Sequence, residues 1–212
     1  MNEQSTLIPE AYPVDLAIDY PDRKLNRWTT FFRFFMVIPI SIILGLLGTS
    51  IPTFAKAGIT GLVSGVGMIG LCILLMILFR KKYPRWWYEW IFEITNFTYR
   101  VYSYISLLND SYPSIEETQT VHIELPYPDA SRLNRWLPLV KWFLAIPHYF
   151  ILFALNIASL FVTIAMWFVI LFTGKYPKGA FEFVVGVLRW ELRVTAYAFL
   201  LVTDKYPPFS LS

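Results

Sequence analysis

Tyr20-Pro21-Asp22 followed by Leu25-Asn26-Arg27-Trp28 recurs as Tyr127-Pro128-Asp129 followed by Leu133-Asn134-Arg135-Trp136. In each copy a basic residue, Arg33 or Lys141, comes five positions after the tryptophan. A proline, Pro39 or Pro147, comes six positions later, and a long apolar run surrounds it. Arginine and tryptophan both favour the boundary between lipid headgroups and hydrocarbon. The stretch therefore marks a threshold where a water-soluble arm turns into a membrane helix.

Composition agrees. Of 212 residues, 56% are hydrophobic and only 16% charged, against about 25% charged in soluble domains. Aromatic residues reach 18%, with 8 Trp and 13 Tyr, which suits the membrane–water interface. The Lys and Arg residues flank apolar runs instead of forming a basic, aromatic patch, so no nucleic-acid partner is expected. Met1 to Pro9 has no basic stretch followed by an apolar core, so it does not read as a signal peptide. The single Cys72 sits inside an apolar run and reads as packing.

The landmarks divide the chain into a polar leader (1–12), a first repeat (13–113), a linker (114–120), a second repeat of the same plan (121–208) and a tail (209–212). Val14, Leu16 and Ile18 alternate with Asp15, Ala17 and Asp19, and Val121, Ile123 and Leu125 alternate likewise. Period-two alternation predicts half-buried strands, paired with each other or laid on their own helices. Thr29 to Leu47 and Gly61 to Phe79 read as two spans joined by an outer loop, Gly48 to Lys56. Gly61 and Gly65 have the spacing that lets helix backbones approach. Leu137 to Phe172 would make one helix of about 54 Å, too long for a hydrocarbon core of about 30 Å. It is read as two short spans with a turn near Asn156 to Ser159.

Each apolar region is followed by a Lys-Tyr-Pro and an amphipathic stretch. Glu89, Glu93, Asn96, Arg100 and Ser103 fall on one narrow polar stripe of a helix from Trp86 to Leu108. Glu182, Gly186, Arg189 and Arg193 take the same places 93 positions later. Such a helix lies in the interface plane or crosses with its stripe against protein. Asp110-Ser111-Tyr112-Pro113 and Asp204-Lys205-Tyr206-Pro207 close the two halves. The expected fold is an all-α integral membrane protein: a duplicated helical hairpin plus amphipathic interfacial helix, with a short strand before each hairpin.

Basic residues cluster before and after the apolar regions, while the outer loops carry only Lys56. The positive-inside rule then puts both termini and the linker in the cytoplasm, as expected for a multi-pass protein of the bacterial inner membrane. The halves would share one orientation. The rival arrangement is six spans with inverted halves.

The order Tyr-Pro-Asp, Leu-Asn-Arg-Trp, kinked span, Lys-Tyr-Pro and amphipathic helix resembles the bacterial membrane family catalogued as domain of unknown function 4389. The resemblance covers roughly residues 12–209 as two tandem copies. It implies a bacterial membrane protein and carries with it no activity, cofactor or catalytic residue.

No metal, phosphate-loop or nucleophile motif is present, so neither a cofactor nor enzymatic activity is expected. His148, just after Pro147, reads either as an intramembrane relay or as a histidine bonded to the carbonyl that the proline frees. Glu191 projects opposite the polar stripe, where a carboxylate is costly unless an Arg or Lys pairs with it. Asn26 and Asn134 would cap helix starts. Arg27, Trp28, Arg135 and Trp136 would grip membrane lipid headgroups or a membrane partner. The functional expectation is an accessory or scaffold subunit, within a larger complex or a homo-oligomer. The alternative is a small transporter or channel with a polar path lined by the stripes, Glu191 and His148. A lipid-modifying enzyme using Glu191 or Asp22 ranks last.

Overall fold

The two alternating stretches form strands, and they pair with each other. In the computed structural model β1 (Asp15–Ile18) and β2 (Val121–Glu124) run antiparallel, with Asp15 opposite Glu124 and Ile18 opposite Val121. The pairing continues one step further through Asp19 N to Thr120 O at 3.0 Å. Val14, Leu16, Ile18, Val121 and Leu125 are buried, while Ala17, Asp19, His122 and Glu124 are exposed. A two-stranded ribbon is marginal alone, so the helices that cover its apolar face hold it.

The structure describes residues 12–21, 25–46, 65–114, 117, 119–129 and 133–212. Between and after the strands come α1 (Arg27–Leu46), α2 (Gly65–Arg80), α3 (Arg85–Ile105), α4 (Pro138–Leu144), α5 (Ile146–Thr173) and α6 (Lys178–Ala198). The leader as far as Ala11, the expected outer loop Gly48 to Lys56, Gly61, and Asp22, Arg23, Lys24 and Arg132 lie outside the described residues.

The amphipathic helices α3 and α6 are each 21 residues long. Each follows a proline, Pro84 or Pro177, with φ −62° and ψ 132°. Proline fixes φ and lacks an N–H that a helix start would leave unpaired. α6 is the most enclosed helix and buries Phe181, Val184, Leu188, Leu192 and Ala196 in the main core with the strands. The halves interlock: Tyr20 Oη donates to Tyr176 O at 2.5 Å, and Tyr127 Oη donates to Tyr83 O at 2.5 Å.

α1 and α5 are long and apolar enough to cross a membrane, yet only 22% and 6% of their most apolar windows are buried. Phe34, Phe35, Phe150, Phe161 and Phe172 are all exposed. Pro39 lies inside α1 without ending it.

The expected turn near Asn156 to Ser159 is absent. α5 runs unbroken through it, because no Gly or Pro interrupts residues 148–173 and Asn156 Nδ2 donates back to Leu152 O at 2.9 Å within the helix. The break falls instead at Ala145, between α4 and α5, two residues before Pro147. At 28 residues, α5 is about 42 Å long. Both of its ends are tied down: Tyr206 Oη donates to Leu144 O at 3.2 Å, and Leu25 N donates to Gly174 O at 2.9 Å.

Candidate functional site

Two matched clusters form where the cassettes meet the ends of α3 and α6. Asn26 Oδ1 accepts from Trp28 N at 3.0 Å, and Asn134 Oδ1 accepts from Trp136 N at 3.0 Å. Asn26 thus caps α1 as the sequence predicts, whereas Asn134 makes the same bond in a turn that ends before α4 begins at Pro138. Their own N–H groups donate to carboxylates: Asn26 N to Asp110 Oδ2 at 2.7 Å, Asn134 N to Asp204 Oδ2 at 2.8 Å. The other carboxylate oxygens meet the cations. Arg33 Nη2 lies 2.7 Å from Asp110 Oδ1, and Lys141 Nζ 2.6 Å from Asp204 Oδ1.

Each cation also faces an aromatic ring, Arg33 over Tyr104 at 4.3 Å and Lys141 over Tyr197 at 5.1 Å. Backbone carbonyls complete the cages: Arg33 Nη1 donates to Tyr104 O and Lys141 Nζ to Thr203 O, both at 2.7 Å. Lys141 is 0% exposed. Reversals at Leu107 (φ 64°) and Leu201 (φ 54°) turn the chain back so that Asp110 and Asp204 reach the cassettes. Non-glycine residues resist this conformation, at a cost of order 1 kcal/mol. The burial of both leucine side chains holds them there.

Beside these internal cages, the residues proposed to touch headgroups face outward. Trp28 is 73% exposed and Trp136 67%. Arg27 is exposed and donates through Nη2 to Phe172 O at 3.0 Å, at the end of α5. Arg135 is exposed.

The polar stripes divide. Glu89, Glu93 and Glu182 are exposed, with Glu89 paired to Arg85 at 3.1 Å. Asn96 is buried, and Arg100 Nη1 donates to Ser114 O at 2.7 Å. Arg189 and Arg193 bridge to Asp15 at 3.1 and 3.0 Å, not to acids of their own stripe. They also donate to Leu16 O and Val14 O, which satisfies carbonyls along β1. Through Nη1 they reach Leu211 O and Ser212 O. In α6 this part of the stripe is thus turned against protein, where it fastens a strand and residues 211–212.

His148 does not bond to a proline-freed carbonyl. It is fully buried, and Nδ1 accepts from Trp190 Nε1 at 3.0 Å. Pro147 starts the bend, and it is Tyr206 Oη that takes the opened carbonyl of Leu144. His122 is exposed and lies 3.1 Å from Asp19 Oδ2, well apart in role from His148.

Among the described residues Glu191 is paired with no Arg or Lys. It lies between α6 and the Tyr99 and Tyr102 side chains of α3, and Oε2 has no hydrogen-bond partner among the described residues. Burial pushes its carboxyl up to about 7. Among the described residues no three His, Cys, Asp or Glu stand together as a metal site.

Sequence reasoning missed the part played by Asp110 and Asp204. The signal was present, as an Asp two residues before Tyr-Pro at the end of each half. Only the folded chain shows what these carboxylates bind. No curated protein and no solved structure matches the chain. Residues 136–210, from the exposed Trp136 through α4, α5 and α6, match the family described as Domain of unknown function (DUF4389).

Proposed function

We propose that the protein is a non-enzymatic scaffold of the bacterial inner membrane that holds anionic lipid headgroups at its two Asn-Arg-Trp cassettes. The observation that carries this reading is the exposure of Arg27-Trp28 and Arg135-Trp136 at the thresholds of apolar helices whose surfaces are left uncovered. Water would not tolerate apolar helices with 22% and 6% of their most apolar windows buried, whereas hydrocarbon would. Tryptophan and arginine at the start of such helices sit at headgroup depth. Guanidinium groups offer paired donors that match phosphate. The engagement of Arg189 and Arg193 with β1 supports a scaffold over a channel, since a polar path would need them in a cavity.

In this reading the chain is two copies of one unit, each carrying the same Asn–Asp latch and cation cage. The cassettes, strands, α3 and α6 form a platform on the cytoplasmic face, in keeping with the basic flanks. Both ends of α5 are fastened to that platform, so in this reading the unbroken helix lies along it with its uncovered side in hydrocarbon and does not cross. A membrane-protein partner or a second copy would dock on the lipid-facing helices.

The test is charge reversal. Arg27→Glu with Arg135→Glu, reconstituted in nanodiscs of mixed anionic and zwitterionic lipid, should retain less anionic lipid by native mass spectrometry. At about 1 kcal/mol per basic residue near an anionic surface, the loss should be fivefold or more. Equal retention by the variant and the natural chain would reject the headgroup role. Reporters fused near residues 120 and 176 should both report cytoplasm, and a periplasmic signal from either would reject the topology.

A further inference from the structure

The place occupied by His148 and Trp190 against α6 has an apolar counterpart against α3, where Ile40 and Leu44 pack with Phe97 and Val101. Leu152 and Val194 complete the α6 version. One buried apolar pair is thus matched by a buried hydrogen-bonded pair. Burying polar groups costs free energy unless they are fully partnered, and here partnering is incomplete. An indole N–H can only donate, so His148 Nδ1 must accept and the proton must sit on Nε2. Nε2 has no partner among the described residues.

The cover over this imidazole is residues 203–212. Phe209 stacks on it at 4.0 Å and 10°, and Tyr206 lies 4.9 Å away. Both ends of this segment are fastened, by Lys141 to Thr203 and Asp204 and by Arg189 and Arg193 to Leu211 and Ser212. We propose that residues 203–212 form a strap whose middle closes on α6 only while His148 is neutral. A second proton would go to Nδ1 and point an N–H at the Trp190 N–H, replacing a hydrogen bond by two opposed donors. Against that loss the rings around the imidazole offer only cation–π attraction, and no carboxylate among the described residues hydrogen-bonds it. From α6 comes Trp190, and from the strap come Tyr206 and Phe209, with Tyr197 behind Tyr206. On the far side of Tyr197 lies Lys141, a cation already paired with Asp204. Glu191 faces α3 instead. The open strap therefore binds one more proton than the closed one, and opening is favoured as pH falls.

This inference is independent of the headgroup reading. The test uses the full chain in nanodiscs and follows amide hydrogen exchange of Tyr206 and Phe209, the middle of the strap, at pH 8 and pH 5.5, corrected for intrinsic rates. Natural protein should exchange about tenfold faster at the lower pH, the change produced by one unit of proton linkage. His148→Ile, the residue at the apolar counterpart, should keep the strap closed at both. A side-chain 15N titration supplies a measurement that needs no variant. His148 should show the Nε2–H tautomer at pH 8, and strap exchange should rise at the same midpoint as its protonation. Equal protection at both pH values, equal opening in His148→Ile, or opening that tracks His122 instead would overturn the proposal.

Discussion

Replacing Asp204 with alanine should destabilise the protein far more than removing its partner Lys141. The ammonium of Lys141 is 0% exposed and has two oxygen contacts, Asp204 Oδ1 at 2.6 Å and Thr203 O at 2.7 Å. Without the carboxylate it keeps one neutral carbonyl and a tyrosine ring at 5.1 Å. A buried charge stripped of its counterion costs about 3–5 kcal/mol. The reverse deletion is milder. In Lys141→Met the Asp204 side chain is still 28% exposed and still accepts from Asn134 N at 2.8 Å. Water and that bond compensate for most of the loss, leaving about 1 kcal/mol. The double variant Lys141→Met with Asp204→Asn should fall close to Lys141→Met alone, since no charge is then left buried. Reversible unfolding in mixed micelles, followed by tryptophan fluorescence, measures all three. An Asp204→Ala variant within 1 kcal/mol of the natural chain, or a Lys141→Met variant that is worse, would refute the cage as described.

Two further outcomes follow from single side chains. Burial raises the Glu191 carboxyl to about 7 from 4.5, so the folded chain holds this proton more tightly than the unfolded one. Its stabilising contribution is complete below the unfolded value and is lost as pH rises through 7, about 3 kcal/mol in all. Glu191→Gln should therefore gain stability relative to the natural chain between pH 4.5 and 8 in the same unfolding assay; a difference that stays constant across that range would refute it. Gly186→Ala places a Cβ 2.8 Å from Leu211 O and 2.9 Å from Leu211 Cβ. The clash should cost about 1–3 kcal/mol and lift the strap end. Faster exchange at Leu211 and Ser212, with α6 content unchanged by circular dichroism, is the expected result, and unchanged exchange would refute it.

Local rules read from the sequence placed the strands, the Asn26 cap and the starts of α3 and α6, because each rests on neighbours within a few residues. Alternation of Val14, Leu16 and Ile18 specified a strand, and the structure supplies its partner at β2. What sequence could not show depends on residues far apart in the chain. The docking of Tyr20 on Tyr176 and of Tyr127 on Tyr83 joins positions 156 and 44 residues apart. The neighbours of Arg189 and Arg193 in sequence, Glu182 and Glu191 among them, do not show what holds these two side chains. Asp15 lies across the chain. The break in the second apolar region was misplaced for a different reason. Length alone demanded a turn in its middle, while the chemistry that opens a helix, a proline with no N–H, lies at its beginning.

Positions that the two cassettes and the two Tyr-Pro turns place alike separate what the fold requires from what a residue contributes. Thr30 N donates to Asn26 O at 3.0 Å, and α1 accordingly begins at Arg27. The corresponding position is Pro138, which has no N–H to give Asn134 O, and α4 begins only there. The Asn–Trp cap and the Asn–Asp latch nevertheless form with the same geometry in both. The latch therefore does not depend on a helix already being wound beneath it. A second pair makes the same point about backbone shape. The chain leaves α2 through Lys81 at φ 47° and α5 through Gly174 at φ 71°. Glycine adopts that conformation without penalty, whereas lysine does so at a cost of order 1 kcal/mol. A left-handed residue at both exits, whatever its side chain, means that the demand comes from the Tyr-Pro turn that follows. That turn must present Tyr83 O and Tyr176 O to the cassette tyrosines of the opposite half, and it is this exchange that ties the uncovered helices to the buried sheet.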